Sequence, residues 1–131
     1  MSNVLFVCIG NSGRSVMAER LFRRAARGRH EARSAGAQPD PPVDPTVVEA
    51  LAEIGVDATD HVPRKLDDDA IEWADVVVAA CDGACPAVPG KPYANWGLPD
   101  PKYQPIERVR DIRDDIADRV DALVAELDSP A

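Results

Sequence analysis

The sequence contains no apolar run that approaches the roughly 20 residues of a membrane-spanning helix, and its N-terminus lacks a basic region followed by a secretory core. An excess of positive charge is also missing, since the formal net charge is −8. That balance argues against general affinity for nucleic acid or for an anionic membrane surface. We therefore expect a cytoplasmic protein without nucleic-acid or membrane partners, in which local groups hold any anionic ligand.

Cysteine is scarce. The chain has three, Cys8, Cys81 and Cys85, and an odd number without an export signal does not indicate a disulfide framework. A reducing compartment favours catalytic or metal-binding thiols, with buried free thiols as the alternative at each position. A zinc site built from Cys81, Cys85 and His61 is supported only weakly by a Cys-x3-Cys pair with scattered histidines. We expect neither a metal nor a cofactor.

The hydrophobic pattern predicts one domain over residues 1–131, with no internal repeat and no linker. Continuous apolar runs at 4–7 and 76–80 are typical of strands buried on both faces. Weaker strands are predicted near 30–34 and 93–96. Helices are predicted at 15–26 with Gly28 as a stop, in TVVEALAEIG after the N-cap Asp44 and Pro45, in DDDAIEWADV, and at 106–127.

This alternation of buried strands with helices predicts an α/β fold in which helices cover both faces of a parallel sheet. Ligands of such sheets bind beyond the carboxyl ends of the strands. Cys8 ends one strong strand and Cys81 follows the other, so we expect both cysteines at the same edge of the sheet.

The stretch VCIGNSGRS places Cys8 where a strand ends and a loop of small residues begins. Glycines, and an asparagine that tolerates the left-handed conformation, allow successive backbone N–H groups to point inward and form an anion nest above a helix N-terminus. An arginine adds a planar fork of donors, and together these groups favour the thiolate. We therefore predict Cys8 as the nucleophile, with Ser15 as a further hydrogen-bond donor to its sulfur. The candidate oxyanion-binding residues are Ile9, Gly10, Asn11, Ser12, Gly13, Arg14 and Ser15.

Other readings of this loop fit less well. Nucleotide-binding loops have Gly-Lys-Ser/Thr after their glycines, and this loop does not. The spaced glycines of a dinucleotide-binding fold are missing as well. Packing of Cys8 as a small hydrophobic residue leaves the loop and its arginine unexplained. The pattern therefore favours a nucleophile that attacks a bound tetrahedral anion.

The stretch VLFVCIGNSGRSVMAERLFRRAA resembles the Cys-x5-Arg-Ser loop and following helix of the low-molecular-weight protein tyrosine phosphatase family. The similarity continues through SAGA at 34–37, VDPTVVEALAEIGVD at 43–57 and WGLPDP at 96–101. It implies a three-layer α/β/α fold with a central parallel four-stranded sheet. It also implies that Cys8 is the nucleophile, that Arg14 binds the oxyanion and that Asp100 is the general acid, although an aspartate in LPDP is also a common turn former.

Within that family, thioredoxin-coupled arsenate reductases resemble the chain more closely, since VVVAACDGACP has a second cysteine after a strand and a third before a proline. The resemblance implies that Cys8 attacks arsenate and that Cys81 attacks the Cys8–arsenic adduct, which leaves a Cys8–Cys81 disulfide. Cys85 then attacks Cys81, so that the disulfide becomes Cys81–Cys85. Thioredoxin or another thiol donor would reduce that disulfide, and phosphate or sulfate would bind in the loop as analogues. The expected role is arsenic detoxification by a monomer.

Two departures and two alternatives accompany this prediction. The three residues between Cys81 and Cys85 form a shorter spacer than is common among the reductases that the chain resembles. A phosphomonoester hydrolase would need only Cys8, Arg14 and Asp100, and an oxyanion sensor would need no turnover.

The second departure concerns a cation. Some of these reductases hold potassium with residues matching Asn11, Glu19 and Ser34 and an aspartate near Arg64, so we expect a guanidinium in place of the ion or no such site. His30 and His61 receive no catalytic role.

Overall fold

The strands and helices of the computed structural model follow the order that the hydrophobic pattern predicts. The structure describes residues 1–39, 43–80 and 93–129. Its elements are β1 (Asn3–Cys8), α1 (Arg14–Ala26), β2 (Glu31–Gly36), α2 (Pro45–Ala52), α3 (Asp68–Trp73), β3 (Val76–Ala79), β4 (Tyr93–Asn95) and α4 (Ile106–Asp128).

The four strands form one parallel sheet in the order β2-β1-β3-β4, which confirms the predicted sheet. β1 lies in the centre, with Cys8 opposite Gly36 of β2 and Val7 opposite Ala79 of β3. The carboxyl ends of the three strands are therefore level, and the segments that leave them share one edge of the sheet.

Side chains of β1 alternate between two apolar layers. Val4 and Phe6 belong to a core that includes buried residues of α1, α2 and α4, and the Phe6 and Phe22 rings are 5.6 Å apart. Leu5 and Val7 point to the other face, where partly buried residues of α3 cover them. Because both faces are covered, the strand is apolar throughout, as expected for a central parallel strand. The result is the predicted three-layer α/β/α arrangement.

Helix ends follow the local sequence closely. Asp44 accepts a hydrogen bond from the Thr46 N–H, and Asp67 accepts one from the Ala70 N–H, so both act as N-caps. α1 ends at Ala26, as predicted, because Arg27 already has the left-handed φ of 51°. The Arg27 backbone N–H donates to the Arg23 carbonyl, which lies in the last turn of the helix.

Helix α4 closes the fold with an amphipathic pattern. Val109, Ile112, Ile116, Val120 and Val124 are buried at three- and four-residue spacing, and charged residues cover much of the remaining surface. Among the helices in the described ranges, none has the length and apolar character needed to cross a bilayer.

The two ends of the chain meet beside His30, which is buried at the start of β2. Its Nδ1 atom accepts from the Ser2 N–H at 3.1 Å, and its Nε2 atom lies 2.7 Å from the Asp128 carboxylate. The Arg29 guanidinium also bonds Asp128, and together Arg29 and His30 lower the pKa of that carboxyl. His30 therefore has a structural role at the end of α4.

Candidate active site

The loop from Cys8 to Arg14 connects the end of β1 to the start of α1 and surrounds a buried sulfur. Cys8 is 2% exposed, and its Sγ atom accepts from the Asn11 N–H at 3.1 Å. The Ser15 Oγ atom lies 2.8 Å from the same sulfur. Because Ser15 Oγ accepts from the Asn11 side-chain amide at 2.8 Å, its own proton is available to the sulfur. Two donors thus converge on Cys8.

Asn11 gives the loop its shape. Its φ is 51°, the left-handed conformation that the sequence predicts for this position. The N-cap of α1 is Gly13, which has no side chain that could compete with an anion for the N–H groups of the first turn. The loop and the helix start form a site suited to a tetrahedral oxyanion next to the sulfur.

Arg14 connects this loop to the segment that carries Asp100. Its Nη1 atom donates to the Leu98 carbonyl at 2.9 Å, and its Nη2 atom lies 3.9 Å from Asp100 Oδ2. The other carboxylate oxygen of Asp100 accepts from the Lys102 N–H at 3.0 Å. The structure therefore brings Cys8, Arg14 and Asp100 to one place, although Asp100 is more than ninety positions from Cys8 in the sequence.

Close packing fixes the position of the Asp100 segment. A Cβ atom added to Gly13 would lie 2.9 Å from Pro101 Cγ, which is too close for an ordinary contact. The proline after Asp100 therefore rests directly on the glycine before α1. The Asp100 side chain itself is 57% exposed, so its carboxyl group lies at the rim and can reach solvent.

A cavity of about 410 Å³ opens above the sulfur. No aromatic side chain in the described part of the chain lines it, and the Tyr103 side chain is 94% exposed. The opening is thus bordered by small, polar and charged residues together with the aliphatic Ile9 and Pro39. The lining residues are Cys8, Ile9, Gly10, Ser12, Gly13, Arg14, Gln38, Pro39, Asp100 and Lys102.

Gly36 supports the loop from the neighbouring strand. A Cβ atom at this position would lie 2.7 Å from the Ile9 carbonyl oxygen and 2.8 Å from the Asn11 nitrogen. Real Cβ atoms essentially never approach backbone atoms so closely, so the observed loop conformation requires glycine at this position. We predicted no role for Gly36 from the sequence, in which it is a glycine at the end of a predicted strand.

His61, for which we predicted no catalytic role, supports the loop from a second side. Its Nε2 atom is 2.9 Å from the Asn11 carbonyl oxygen, to which it donates, and the Arg64 backbone N–H donates to Asn11 Oδ1 at 2.9 Å. Burial lowers the pKa of His61, although the hydrogen bond to Asn11 acts in the opposite direction. A neutral imidazole therefore holds Asn11 in place from outside the loop. No local motif marks this contact, because fifty positions separate the two residues.

The residues that match the potassium ligands of some relatives do not fit a cation here. The Glu19 carboxylate is 5% exposed, and it accepts from Arg20 Nε at 3.0 Å and from Ser34 Oγ at 3.1 Å. Arg23 Nη2 is 3.5 Å from the same carboxylate. The guanidinium groups that face the Glu19 carboxylate belong to Arg20 and Arg23 of α1, and not to Arg64 as predicted, which donates its backbone N–H to Asn11.

Cys81 and Cys85 lie outside the described residues. The chain reaches them from Ala80, whose N–H donates to the Val7 carbonyl at 2.7 Å, directly beside the strand that ends in Cys8. The suggested zinc site includes both cysteines and is likewise not covered. Within the described ranges, no group of three His, Cys, Asp or Glu side chains is arranged to hold a metal ion.

Comparison with known proteins assigns the family. The model of the low molecular weight phosphotyrosine protein phosphatases matches residues 3–130. The chain belongs to this family. Among its curated relatives is arsenate reductase 2 of Staphylococcus haemolyticus, 30% identical over 123 residues that cover 91% of this chain and 93% of the relative.

Solved structures of the same family share the fold. A structure described as an arsenate reductase in the phosphate binding state superposes with a TM-score of 0.89 at 29% identity, covering 96% of this chain and 98% of that one. A thioredoxin-dependent arsenate reductase of Corynebacterium glutamicum gives a TM-score of 0.81 at 36% identity, covering 96% of this chain and 61% of that one. The arrangement around Cys8 therefore belongs to a family that includes both phosphatases and reductases.

Proposed function

We propose that the protein reduces arsenate to arsenite, with residues 1–131 acting as one domain and Cys8 as the nucleophile. The observation that carries the proposal is the Cys8 sulfur itself, which lies at the centre of an oxyanion loop and receives hydrogen bonds from Asn11 and Ser15. The similarity to arsenate reductases supports arsenate as the substrate.

In the first step, the Cys8 thiolate attacks the arsenic atom of arsenate bound in the loop. Arg14 and the loop N–H groups hold the oxyanion, and Asp100 protonates the oxygen that departs as water. A sulfur–arsenic bond forms and an arsenic–oxygen bond breaks, with no change in the oxidation state of arsenic. The exposed position of the Asp100 carboxyl group allows it to regain its proton from solvent.

In the second step, the Cys81 thiolate attacks the Cys8 sulfur. The sulfur–arsenic bond breaks and its electron pair stays on arsenic, so As(V) becomes As(III) while two thiols become the Cys8–Cys81 disulfide. The hydrogen bond between Ala80 and Val7 supports this step, because Cys81 follows the residue that pairs beside the Cys8 strand.

The third step regenerates Cys8. Cys85 attacks Cys81, releases the Cys8 thiolate and forms the Cys81–Cys85 disulfide, which an external dithiol reduces with two electrons. Thioredoxin is the favoured donor, since a solved relative is described as thioredoxin-dependent. We infer a monomer that works in the cytoplasm.

Phosphomonoester hydrolysis is the second candidate, because Cys8, Arg14 and Asp100 come together without help from the other cysteines. Water would then attack a phosphocysteine at Cys8. The cavity offers an aryl group no aromatic wall from the described residues, which favours a small inorganic oxyanion.

A coupled assay tests the proposal. Purified protein is mixed with arsenate, thioredoxin, thioredoxin reductase and NADPH, and NADPH consumption is followed for the wild type and for Cys8→Ser, Cys81→Ser and Cys85→Ser. We expect each substitution to abolish consumption, whereas hydrolysis of p-nitrophenyl phosphate should be lost only in Cys8→Ser.

Turnover of aryl phosphate alone, unaffected by loss of Cys81 and Cys85, would support the hydrolase instead. If the protein shows neither arsenate reduction nor phosphate-ester hydrolysis, but anions raise its melting temperature, the result would indicate an oxyanion sensor.

A further inference from the structure

A second polar cavity, of about 230 Å³, lies next to the Cys8 loop and shares no lining residue with the cavity above the sulfur. It touches the loop through His61 and Arg64, the two residues that hold Asn11. Four arginines and two carboxylates line it, together with three uncharged residues. The arginines are Arg20, Arg23, Arg33 and Arg64, the carboxylates Glu19 and Asp60, and the remaining residues Ser34, His61 and Val62.

The two carboxylates of this cavity already have partners. Arg20 bonds Glu19 at 3.0 Å and Asp60 at 2.8 Å. Arg23 lies 3.5 Å from Glu19 and donates to the Ala32 carbonyl. With His61 neutral, the lining keeps an excess of two positive charges, in a chain whose net charge is −8.

That excess resides on Arg33 and Arg64. The Arg33 guanidinium lies 4.2 Å from the centre of the Trp73 ring, a contact that holds it in place, and it has no carboxylate partner among the residues that the structure describes. The Arg64 guanidinium makes no hydrogen bond or ion pair with any residue in the parts of the chain that the structure describes. Two planar donor groups thus border one cavity without a carboxylate to neutralise them.

We propose that this cavity binds a compact inorganic dianion with tetrahedral geometry, sulfate or phosphate, through Arg33 and Arg64. Paired guanidinium groups match such an oxyanion in charge and in donor geometry. The volume of about 230 Å³ accommodates the anion together with bridging water. The site is independent of the reaction at Cys8, and the protein therefore binds two oxyanions per chain.

Isothermal titration with sodium sulfate tests the site on the reduced full-length protein in a chloride buffer. We expect two sulfates per chain for the wild type. The cavity variant Arg33→Ala/Arg64→Ala should bind one, and Arg14→Lys, which lacks the guanidinium fork of the Cys8 loop, should also bind one. The control Arg108→Ala/Arg119→Ala removes the same two charges from α4 and should still bind two.

Thermal melting provides a second measurement that does not depend on the fitted stoichiometry. Sulfate should still raise the melting temperature of Arg14→Lys, and this rise should disappear when Arg33→Ala/Arg64→Ala is added. A single sulfate in the wild type that is lost with Arg14→Lys would overturn the proposal. So would a second sulfate that persists in the cavity variant as it does in the α4 control.

Discussion

The His61 imidazole donates a hydrogen bond to the Asn11 carbonyl oxygen over 2.9 Å, and the Asn11 N–H in turn points at the Cys8 sulfur over 3.1 Å. A residue fifty positions away thus orients a donor of the nucleophile. Asn11 has a left-handed φ of 51°, which asparagine tolerates, and the contact with His61 adds to that local preference.

The first prediction concerns this contact. His61→Ala removes one hydrogen bond to the loop, worth about 1 kcal/mol, and we expect kcat/KM for arsenate to fall roughly fivefold. His61→Gln keeps an N–H donor of similar reach and should stay within about twofold of the wild type. Steady-state kinetics of the three proteins checks this. An equal loss of kcat/KM in His61→Ala and His61→Gln would show that the hydrogen bond to Asn11 is not what supports turnover.

The second prediction concerns pH. Burial lowers the pKa of His61 below its ordinary value of 6.5, so the unfolded chain binds a proton at a pH where the folded chain does not. The contribution of His61 to stability is therefore fully present above 6.5, falls as the pH drops toward the folded-state pKa, and is constant below it.

Urea unfolding between about pH 5 and 7.5 measures this effect, a range that spans the histidine titration. The free energy of unfolding should decline with falling pH less steeply in His61→Gln than in the wild type. Val62→Ala, an exposed neighbour without a titrating group, should keep the wild-type slope. Parallel curves for all three proteins would contradict the prediction.

The third prediction concerns Gly36. In Gly36→Ala the added methyl group meets the Ile9 carbonyl and the Asn11 nitrogen, both of which are backbone atoms that cannot rotate away. We expect arsenate turnover to fall at least 100-fold, because a displacement of about 1 Å at a reacting centre costs that much.

Gly55→Ala serves as the matched control for Gly36→Ala. Gly55 has a φ of 79° and nothing within 4 Å of an added Cβ, so the substitution strains the backbone without touching the loop. It should lower stability by about 1 kcal/mol and leave turnover nearly unchanged. Comparable losses of activity in the two variants would indicate that general destabilisation, rather than displacement of the loop, is responsible.

The fourth prediction concerns potassium. The Glu19 carboxylate is paired with Arg20, and the Asn11 side-chain oxygen accepts from the Arg64 backbone, so a cation would have to compete with a guanidinium and an N–H group for these acceptors. The melting temperature should be the same in potassium chloride and sodium chloride at equal ionic strength. A rise specific to potassium would contradict the guanidinium assignment.

Local sequence patterns were sufficient to predict most of the fold and the Cys8 loop. The apolar runs of β1 and β3, the cap at Asp44 and the small residues around Asn11 act within a few positions of one another. His61 and Gly36 were missed because their contacts with the loop exist only after the sheet and the following segments have assembled. The roles of Cys81 and Cys85 remain predictions from the resemblance.

A single-turnover measurement tests the central claim, that the attack by Cys8 ends in reduction. Fully reduced protein is mixed with excess arsenate and no external reductant, and arsenite and free thiols are counted after one turnover. We predict one arsenite per chain and loss of two of the three cysteine thiols, because two electrons leave as one disulfide forms. No arsenite, with all three thiols intact, would contradict the account.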